Sequence, residues 1–181
     1  MGQLHVIRLR GPWELQPLER DVPAGGDGMQ HLEEKGSGVI SEKTPDPFVV
    51  RPSSYRVTVP GDWRESLGSD FCGRARYQRR FNRPTNLEAD ERVWLVLEAV
   101  DHQADVALNG HALGTMRDLQ PARFDITATL EPSNQLTVDV SLPAAVFADP
   151  TLRRDRASQP GGLIGEVRLE IGPSEVGPRA H

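Results

Sequence analysis

The sequence has one cysteine, few aromatic side chains and no long apolar run. Of its 181 residues only 6% are aromatic, and the lone cysteine, Cys72, excludes an intrachain disulfide framework. No segment approaches the ~18 apolar residues of a membrane span. Polar residues interrupt the N-terminal segment 1–8, so it lacks the apolar centre of a signal peptide. We therefore expect a cytoplasmic protein that has no membrane partner.

Clustered positive charge and metal-ligand spacings are also scarce. The formal net charge is -5, which disfavours a nucleic-acid partner because such partners require a basic surface. The five histidines are scattered, with no His-x-His or His-Glu-x-x-His spacing. No basic residue can be placed beside Cys72 to lower the pKa of its thiol. We expect neither a metal site nor a cofactor.

The pattern of apolar residues predicts one all-β domain over residues 1–181. Roughly nine short strands separated by turn signals, with no strand–helix alternation, indicate an antiparallel β-sandwich. The first two strands, at 4–10 and 13–18, are expected to pair with each other. The Gly- and Pro-rich segment 20–52 is interpreted as a loop insertion, and the chain from about residue 172 as a flexible tail.

Two segments give the sharpest local predictions. Residues 93–100 form a nearly continuous apolar run, which is typical of a central strand covered on both faces and would place Trp94 in the core. Asn109 and Gly110 stand between two apolar alternations. Because both central residues of a type I′ turn need a positive φ, this pair predicts a tight β-hairpin.

Seven short segments occur in an order that resembles the sugar-binding, galactose-binding-like jelly-roll domain at the N-terminus of family 2 glycoside hydrolases. The similarity covers about residues 9–171, with 20–52 as an unmatched insertion. The segments are Gly-Pro-Trp at 11–13, Val-Pro-Gly-Asp-Trp at 59–63, Tyr-Gln-Arg-Arg-Phe at 77–81, a stretch at 98–110 ending in Val-Ala-Leu-Asn-Gly, Phe-Asp-Ile-Thr at 124–127, Asn-Gln-Leu-Thr-Val at 134–138 and Gly-Gly-Leu at 161–163.

The resemblance implies a jelly roll without the catalytic part of such hydrolases. Their two catalytic carboxylates lie on a (β/α)8 barrel, which needs about 200 or more residues of its own. In some members an acidic residue in the loop before the closing Gly-Gly reaches the sugar, and Asp155 is the nearest match here. The family's Trp in that loop and its Gly-Gly-Tyr before Phe-Asp-Ile-Thr have no counterpart at 153–160 and 116–120.

We select Asp62, Trp63, Asp155 and Arg156 as candidate ligand-binding residues. A sugar site normally combines an aromatic face with a few placed polar groups. Trp63 lies in a loop beside Asp62 and is the best candidate for stacking on a sugar ring. The other interpretation is structural, with Trp63 packing the loop against the core.

An arginine cluster also has two interpretations. Five arginines fall within ten residues, at positions 74, 76, 79, 80 and 83. They could bind an anion or a uronic acid, because a guanidinium binds a carboxylate through two hydrogen bonds. Alternatively they form a solvated strand face paired with Glu88, Asp90 and Glu91, which the negative net charge favours.

Acidic pairs give a weak indication of catalysis. A glycosidase needs two carboxylates about 5–10 Å apart, and Glu98 with Asp101 or Asp155 with Glu166 would supply them. Because the chain has 26 acidic residues, such pairs arise anywhere. We do not expect this chain by itself to hydrolyse glycosides.

The sequence therefore predicts a non-catalytic carbohydrate-binding or accessory module. Its partner would be a carbohydrate or a glycoside hydrolase catalytic subunit. The alternative is a docking domain for such a subunit or for self-association, which an aromatic-poor loop end and the insertion at 20–52 would favour. The sequence leaves open the oligomeric state and the identity of the sugar.

Overall fold

The structure, a computed structural model, describes residues 4–21, 54–147 and 160–174. Most of the predicted insertion, most of the predicted tail, and the candidate residues Asp155 and Arg156 lie outside these ranges. No helix in the described ranges is long and apolar enough to cross a membrane.

Within the described ranges, the regular structure comprises ten strands, one short α-helix and two 3₁₀ helices, Thr127–Thr129 and Ala144–Phe147. The α-helix is α1 (Arg64–Leu67). The strands are β1 (His5–Arg8), β2 (Trp13–Arg20), β3 (Tyr55–Val57), β4 (Gly73–Asn82), β5 (Glu91–Leu97), β6 (Gln103–Leu108), β7 (His111–Arg117), β8 (Ala122–Asp125), β9 (Ser133–Leu142) and β10 (Val167–Pro173).

The strands form two antiparallel sheets. One has four strands in the order β1-β10-β5-β8, and the other has six in the order β3-β2-β4-β9-β6-β7. The predicted all-β sandwich is confirmed. The predicted pairing of the first two strands is wrong, because β1 pairs with β10 and β2 pairs with β3 and β4. The chain passes from one sheet to the other at Gly11-Pro12, where we expected a turn within one sheet.

Alternating side chains build the core between the sheets. In β9 every second residue from Asn134 to Leu142 is buried while its neighbours are partly exposed. In β5, Val93, Leu95 and Leu97 are fully buried. Strict alternation places one face of each strand in the core, where burying a Leu or Val side chain contributes about 1.5–3 kcal/mol.

The outer face of β5 shows that the prediction of Trp94 as a core residue is wrong. Trp94 is only partly buried on the outer face of the four-stranded sheet, and the guanidinium of Arg123 lies 4.0 Å from its ring centroid. The continuous apolar run indicated a strand covered on both faces, but of the outward side chains of β5 only Val96 is buried. A tryptophan can occupy a half-open sheet face because a cation packs on its ring.

The hairpin prediction is confirmed. Asn109 and Gly110 have φ values of 52° and 81° and connect β6 to β7. The Asn109 amide donates to Asn134 Oδ1 at 3.0 Å, and its own oxygen accepts from the backbone N–H of Gln135 at 2.8 Å. Asn134 is buried, and its amide also donates to the Glu131 carbonyl. These bonds attach the turn to the start of β9.

Candidate functional site

The loop before α1 is attached to the segment that leads into β10. Asp62 Oδ1 accepts hydrogen bonds from the backbone N–H groups of Arg64 and Gly161, both at 3.0 Å. The backbone N–H of Trp63 in turn donates to the Gly161 carbonyl at 3.0 Å. Two segments far apart in sequence thereby hold each other, and Asp62 and Trp63 lie at their junction.

Trp63 is a core residue. Its side chain is 1% exposed, and its ring meets the Phe71 ring edge-on at 5.0 Å between centroids. Gly161 and Gly162 pack directly on the indole, where a Cβ would come within about 3 Å of it. The stacking role predicted for Trp63 is therefore wrong for this structure, because the ring offers no open face. The structural interpretation describes its position.

Asp62 is a partly buried anion. Burial acts to raise the pKa of its carboxyl, but hydrogen bonds from the Arg64 side chain and from the backbone of Arg64 and Gly161 outweigh it and hold the pKa below its usual value. The Arg64 guanidinium lies 2.7 Å from Asp62 Oδ2. The carboxylate thus orders the loop, and its contact with a sugar stays a prediction.

Tyr77 closes the same junction from β4. Its hydroxyl is buried and accepts a hydrogen bond from the Leu163 N–H at 3.3 Å. Burial raises the pKa of Tyr77 well above its usual value. The neutral phenol is therefore the form that the fold stabilises.

This raised pKa predicts an alkaline loss of stability. A tyrosine in the unfolded chain ionises near pH 10, whereas Tyr77 in the folded protein stays neutral to higher pH. The contribution of Tyr77 to the free energy of unfolding is intact below about pH 10. Above that pH it decreases by up to about 1.4 kcal/mol per pH unit. Urea unfolding at a series of pH values should show the stability advantage of the wild type over Tyr77→Phe shrinking above pH 10. Parallel curves for the two proteins would contradict the assignment.

A cleft opens beside this junction, and we call it the α1 cleft. Its volume is about 380 Å³. Pro12 and Val57 supply accessible apolar surface, and the buried Leu15, Trp63 and Tyr77 lie behind it. Asp62, Glu65, Ser66, Thr58 and Arg56 bring polar atoms to the lining. Ligand pockets typically enclose about 300–1,000 Å³ and combine apolar walls with a few polar groups. The α1 cleft therefore has the size and composition of a small-ligand site.

A second and larger cleft lies on the outer face of the six-stranded sheet, and we call it the arginine cleft. Its volume is about 720 Å³. Its lining includes Arg56, Arg79, Arg80, Gln78, Gln135, Glu14, Ser54 and Tyr55. An anion-binding surface at Arg79 and Arg80 was one of two interpretations of the sequence, but the cleft that includes Arg56 was not predicted. Because Arg56 comes from β3 and the other arginines from β4, the sequence pattern of β4 alone did not reveal it.

The arginine cluster divides into two groups. Arg76 makes a two-point ion pair with Asp139 at 2.7 and 2.8 Å, and Arg74 approaches the same carboxylate at 4.0 Å. Glu88, Asp90 and Glu91, the acids expected to pair with the cluster, do not form ion pairs with it within the described ranges. Within the described ranges, Arg79 and Arg80 also have no acidic side chain within 4 Å. The prediction that Glu88, Asp90 and Glu91 pair with the cluster is therefore wrong, because the acidic partner is Asp139.

Two of the four candidate catalytic carboxylates, Glu98 and Glu166, are engaged with arginines. Glu98 pairs with Arg168, and Glu166 accepts from Arg8 at 3.0 Å. Asp155 lies outside the described residues. Within the described chain, no group of three or more His, Cys, Asp or Glu side chains is placed to hold a metal ion. The geometry therefore gives Glu98 and Glu166 an ion-pairing role.

Comparison with known proteins connects this fold to a family. A profile of the family described as glycosyl hydrolase 2 galactose-binding domain-like matches residues 70–161, slightly more than half of the chain. No curated protein gives a significant sequence match. Many solved structures resemble the chain. The three described below are less than 25% identical to it, so they show the fold alone.

Three of these structures illustrate the similarity. The Bifidobacterium dentium β-glucuronidase complexed with coumarin-3-O-glucuronide has a TM-score of 0.63 and 23% identity, over 94% of this chain and 30% of that one. A rhamnosidase from Novosphingobium sp. PP1Y gives 0.62 and 22%, over 93% and 15%. A putative β-galactosidase from Bacteroides fragilis gives 0.60 and 19%, over 93% and 23%.

This chain thus spans less than a third of the length of each of these three proteins. The match at 70–161 includes strands of both sheets and ends at Gly161, beside Asp62 and Trp63. The resemblance drawn from the seven sequence segments is confirmed. The chain belongs to the glycosyl hydrolase 2 galactose-binding domain-like family.

Proposed function

We propose that the chain is a non-catalytic carbohydrate-binding or accessory module, and that the α1 cleft receives the sugar. The observation that carries the proposal is the composition of this cleft, in which the accessible apolar surface of Pro12 and Val57 adjoins a polar lining. The nonpolar face of a sugar can pack on this apolar surface while its hydroxyls form hydrogen bonds with the polar groups. Glu65, Ser66 and Thr58 have the side-chain oxygens for those bonds.

The cleft is held in shape before any ligand arrives. Leu15 and Tyr77 belong to neighbouring strands of the six-stranded sheet and are paired in register. The loop that carries Asp62 is attached through Gly161. A site that is already ordered loses little conformational entropy on binding, which favours affinity for a small ligand.

The relation to glycosidases supports a carbohydrate ligand and the absence of catalysis. The similar structures named above are a β-glucuronidase, a rhamnosidase and a putative β-galactosidase, all named for action on glycosides. The described residues form a sandwich, whereas a catalytic barrel alone needs about 200 or more residues. Hydrolysis of aryl glycosides by the purified chain would contradict the non-catalytic part of the proposal.

The docking alternative has less support. The exposed large apolar side chains in the described part of the chain are Leu4, Leu18 and Leu119. They precede β1, lie on β2 and follow β7, so they come from different elements. Interaction surfaces usually present larger contiguous apolar patches.

A glycan array with two matched variants tests the proposal. Glu65 and Glu131 are both exposed, but only Glu65 lines the α1 cleft. We expect selective glycan binding that Glu65→Ala weakens by about tenfold, the effect of losing a hydrogen bond to a charged group. Glu131→Ala should bind like the wild type. Equal weakening by both variants, or no binding to any glycan, would refute the assignment of the cleft.

A further inference from the structure

The arginine cleft brings together side chains from four strands. Across the sheet Arg56 pairs in register with Glu14, and Glu14 pairs with Gln78. In the adjoining region of the same cleft Arg80 is opposite Gln135. Because directly opposed residues on one face of a sheet lie about 4.5–5.5 Å apart, these polar groups form one continuous surface.

The charge of this surface is positive although the chain as a whole is negative. Three arginines and one glutamate line the cleft, whereas the formal net charge of the chain is -5. Within residues 4–21, 54–147 and 160–174, Arg56, Arg79 and Arg80 have no carboxylate within 4 Å. Arg76 on the same strand shows the contrast, because it is neutralised by Asp139.

Arg79 gives a second, independent observation. Its Nη1 donates to the Pro12 carbonyl at 2.7 Å, while its Nε is buried and has no hydrogen-bond partner among the described residues. Burial lowers the pKa of its guanidinium. A charge that loses water without gaining a counter-charge is costly, so Arg79 adds an unneutralised positive charge beside the cleft.

We propose that the arginine cleft binds the carboxylate of an acidic saccharide such as a uronic acid, with Arg56 and Arg80 as its principal contacts. The saccharide part of this inference rests on the proposed carbohydrate-binding function, whereas the anion part rests on the arginines alone. Guanidinium groups match carboxylates because their planar N–H donors can bond to both oxygens.

The remaining lining favours a sugar acid over an inorganic phosphate. Gln78, Gln135, Ser54 and Tyr55 are neutral groups that donate and accept hydrogen bonds, as sugar hydroxyls require. Glu14 accepts bonds from hydroxyls but repels a multiply charged anion. The volume of about 720 Å³ also exceeds the needs of a small ion.

Calorimetric titration of the full chain tests the proposal with paired ligands. Glucuronate and galacturonate would be compared with glucose and galactose, which have the same ring stereochemistry but no carboxylate, and with inorganic phosphate. We expect a uronate to bind and its neutral counterpart to bind at least about tenfold more weakly, because charge-assisted hydrogen bonds are lost.

Three variants locate the site. Arg56→Gln and Arg80→Gln should each reduce uronate affinity by about tenfold. Arg74→Gln should leave it unchanged, because Arg74 is on the same strand and face as Arg80 but outside the cleft. Thermal unfolding of each variant verifies that it is folded.

The outcomes separate this inference from the proposed function. Uronate binding that survives Arg56→Gln and Arg80→Gln would place the site elsewhere and overturn the inference. If phosphate bound with the same affinity as uronate, the cleft would be a general anion site, and the inference would also be overturned. Neutral glycans that bind through Glu65, with no uronate binding at the arginines, would overturn the inference and leave the proposed function standing.

Discussion

Trp63→Ala is expected to lower the free energy of unfolding by about 3–5 kcal/mol, the usual cost of deleting a large buried aromatic side chain. The Trp63 ring is 1% exposed and packs on Phe71, Gly161 and Gly162. Its removal would leave a cavity where the α1 loop meets the segment before β10. Because small domains have a free energy of unfolding of about 5–15 kcal/mol, this change would remove a large part of it. Urea unfolding measures this change directly.

Trp94→Ala is the matched control. It deletes the same side chain from the partly exposed outer face of β5, where Trp94 packs against Arg123. We expect a cost of about 1–2 kcal/mol, from the cation–π contact and partial burial. Equal costs for the two variants would mean that Trp63 is not the core residue that the structure shows.

The stability of Trp63→Ala also determines how its binding can be interpreted. A variant that unfolds loses every ligand, so lost sugar binding in Trp63→Ala would not locate a site. Glu65→Ala is the sharper probe, because Glu65 is exposed and lines the same cleft without supporting the core.

Gly162→Ala is expected to destabilise the protein by about 3–5 kcal/mol, through overpacking and backbone strain together. Gly162 has a φ of 92°, and an added Cβ would lie 2.3 Å from the Tyr77 hydroxyl and 3.1 Å from the Trp63 ring. Relief of this contact would move Tyr77 away from the Leu163 N–H. Thermal or urea unfolding would show the loss.

Gly110→Ala separates strain from collision. Gly110 has a similar φ of 81°, but nothing lies within 4 Å of an added Cβ. Its substitution should therefore cost only the left-handed strain, about 1–2 kcal/mol. If the two variants lost equal stability, the result would contradict the close packing of Gly162 on Tyr77 and Trp63.

The candidate site was only partly predictable. The Val-Pro-Gly-Asp-Trp segment correctly directed attention to the loop beside the α1 cleft. The role given to Trp63 was wrong because a tryptophan in a loop has the same local pattern whether its ring faces solvent or core. Its burial depends on Gly161, about a hundred residues away, whose N–H bonds to Asp62 across a separation of 99 positions.

Local sequence patterns were enough to predict the all-β class, the Asn109-Gly110 hairpin and most of the core, because alternation and turn conformation are properties of neighbouring residues. The tertiary structure alone decided that β1 and β2 belong to different sheets. It also decided that Asp139 neutralises Arg76 across 63 positions while Arg80 faces an open cleft. Such choices depend on which distant strands become neighbours, and only the assembled sheets bring those side chains within reach of one another.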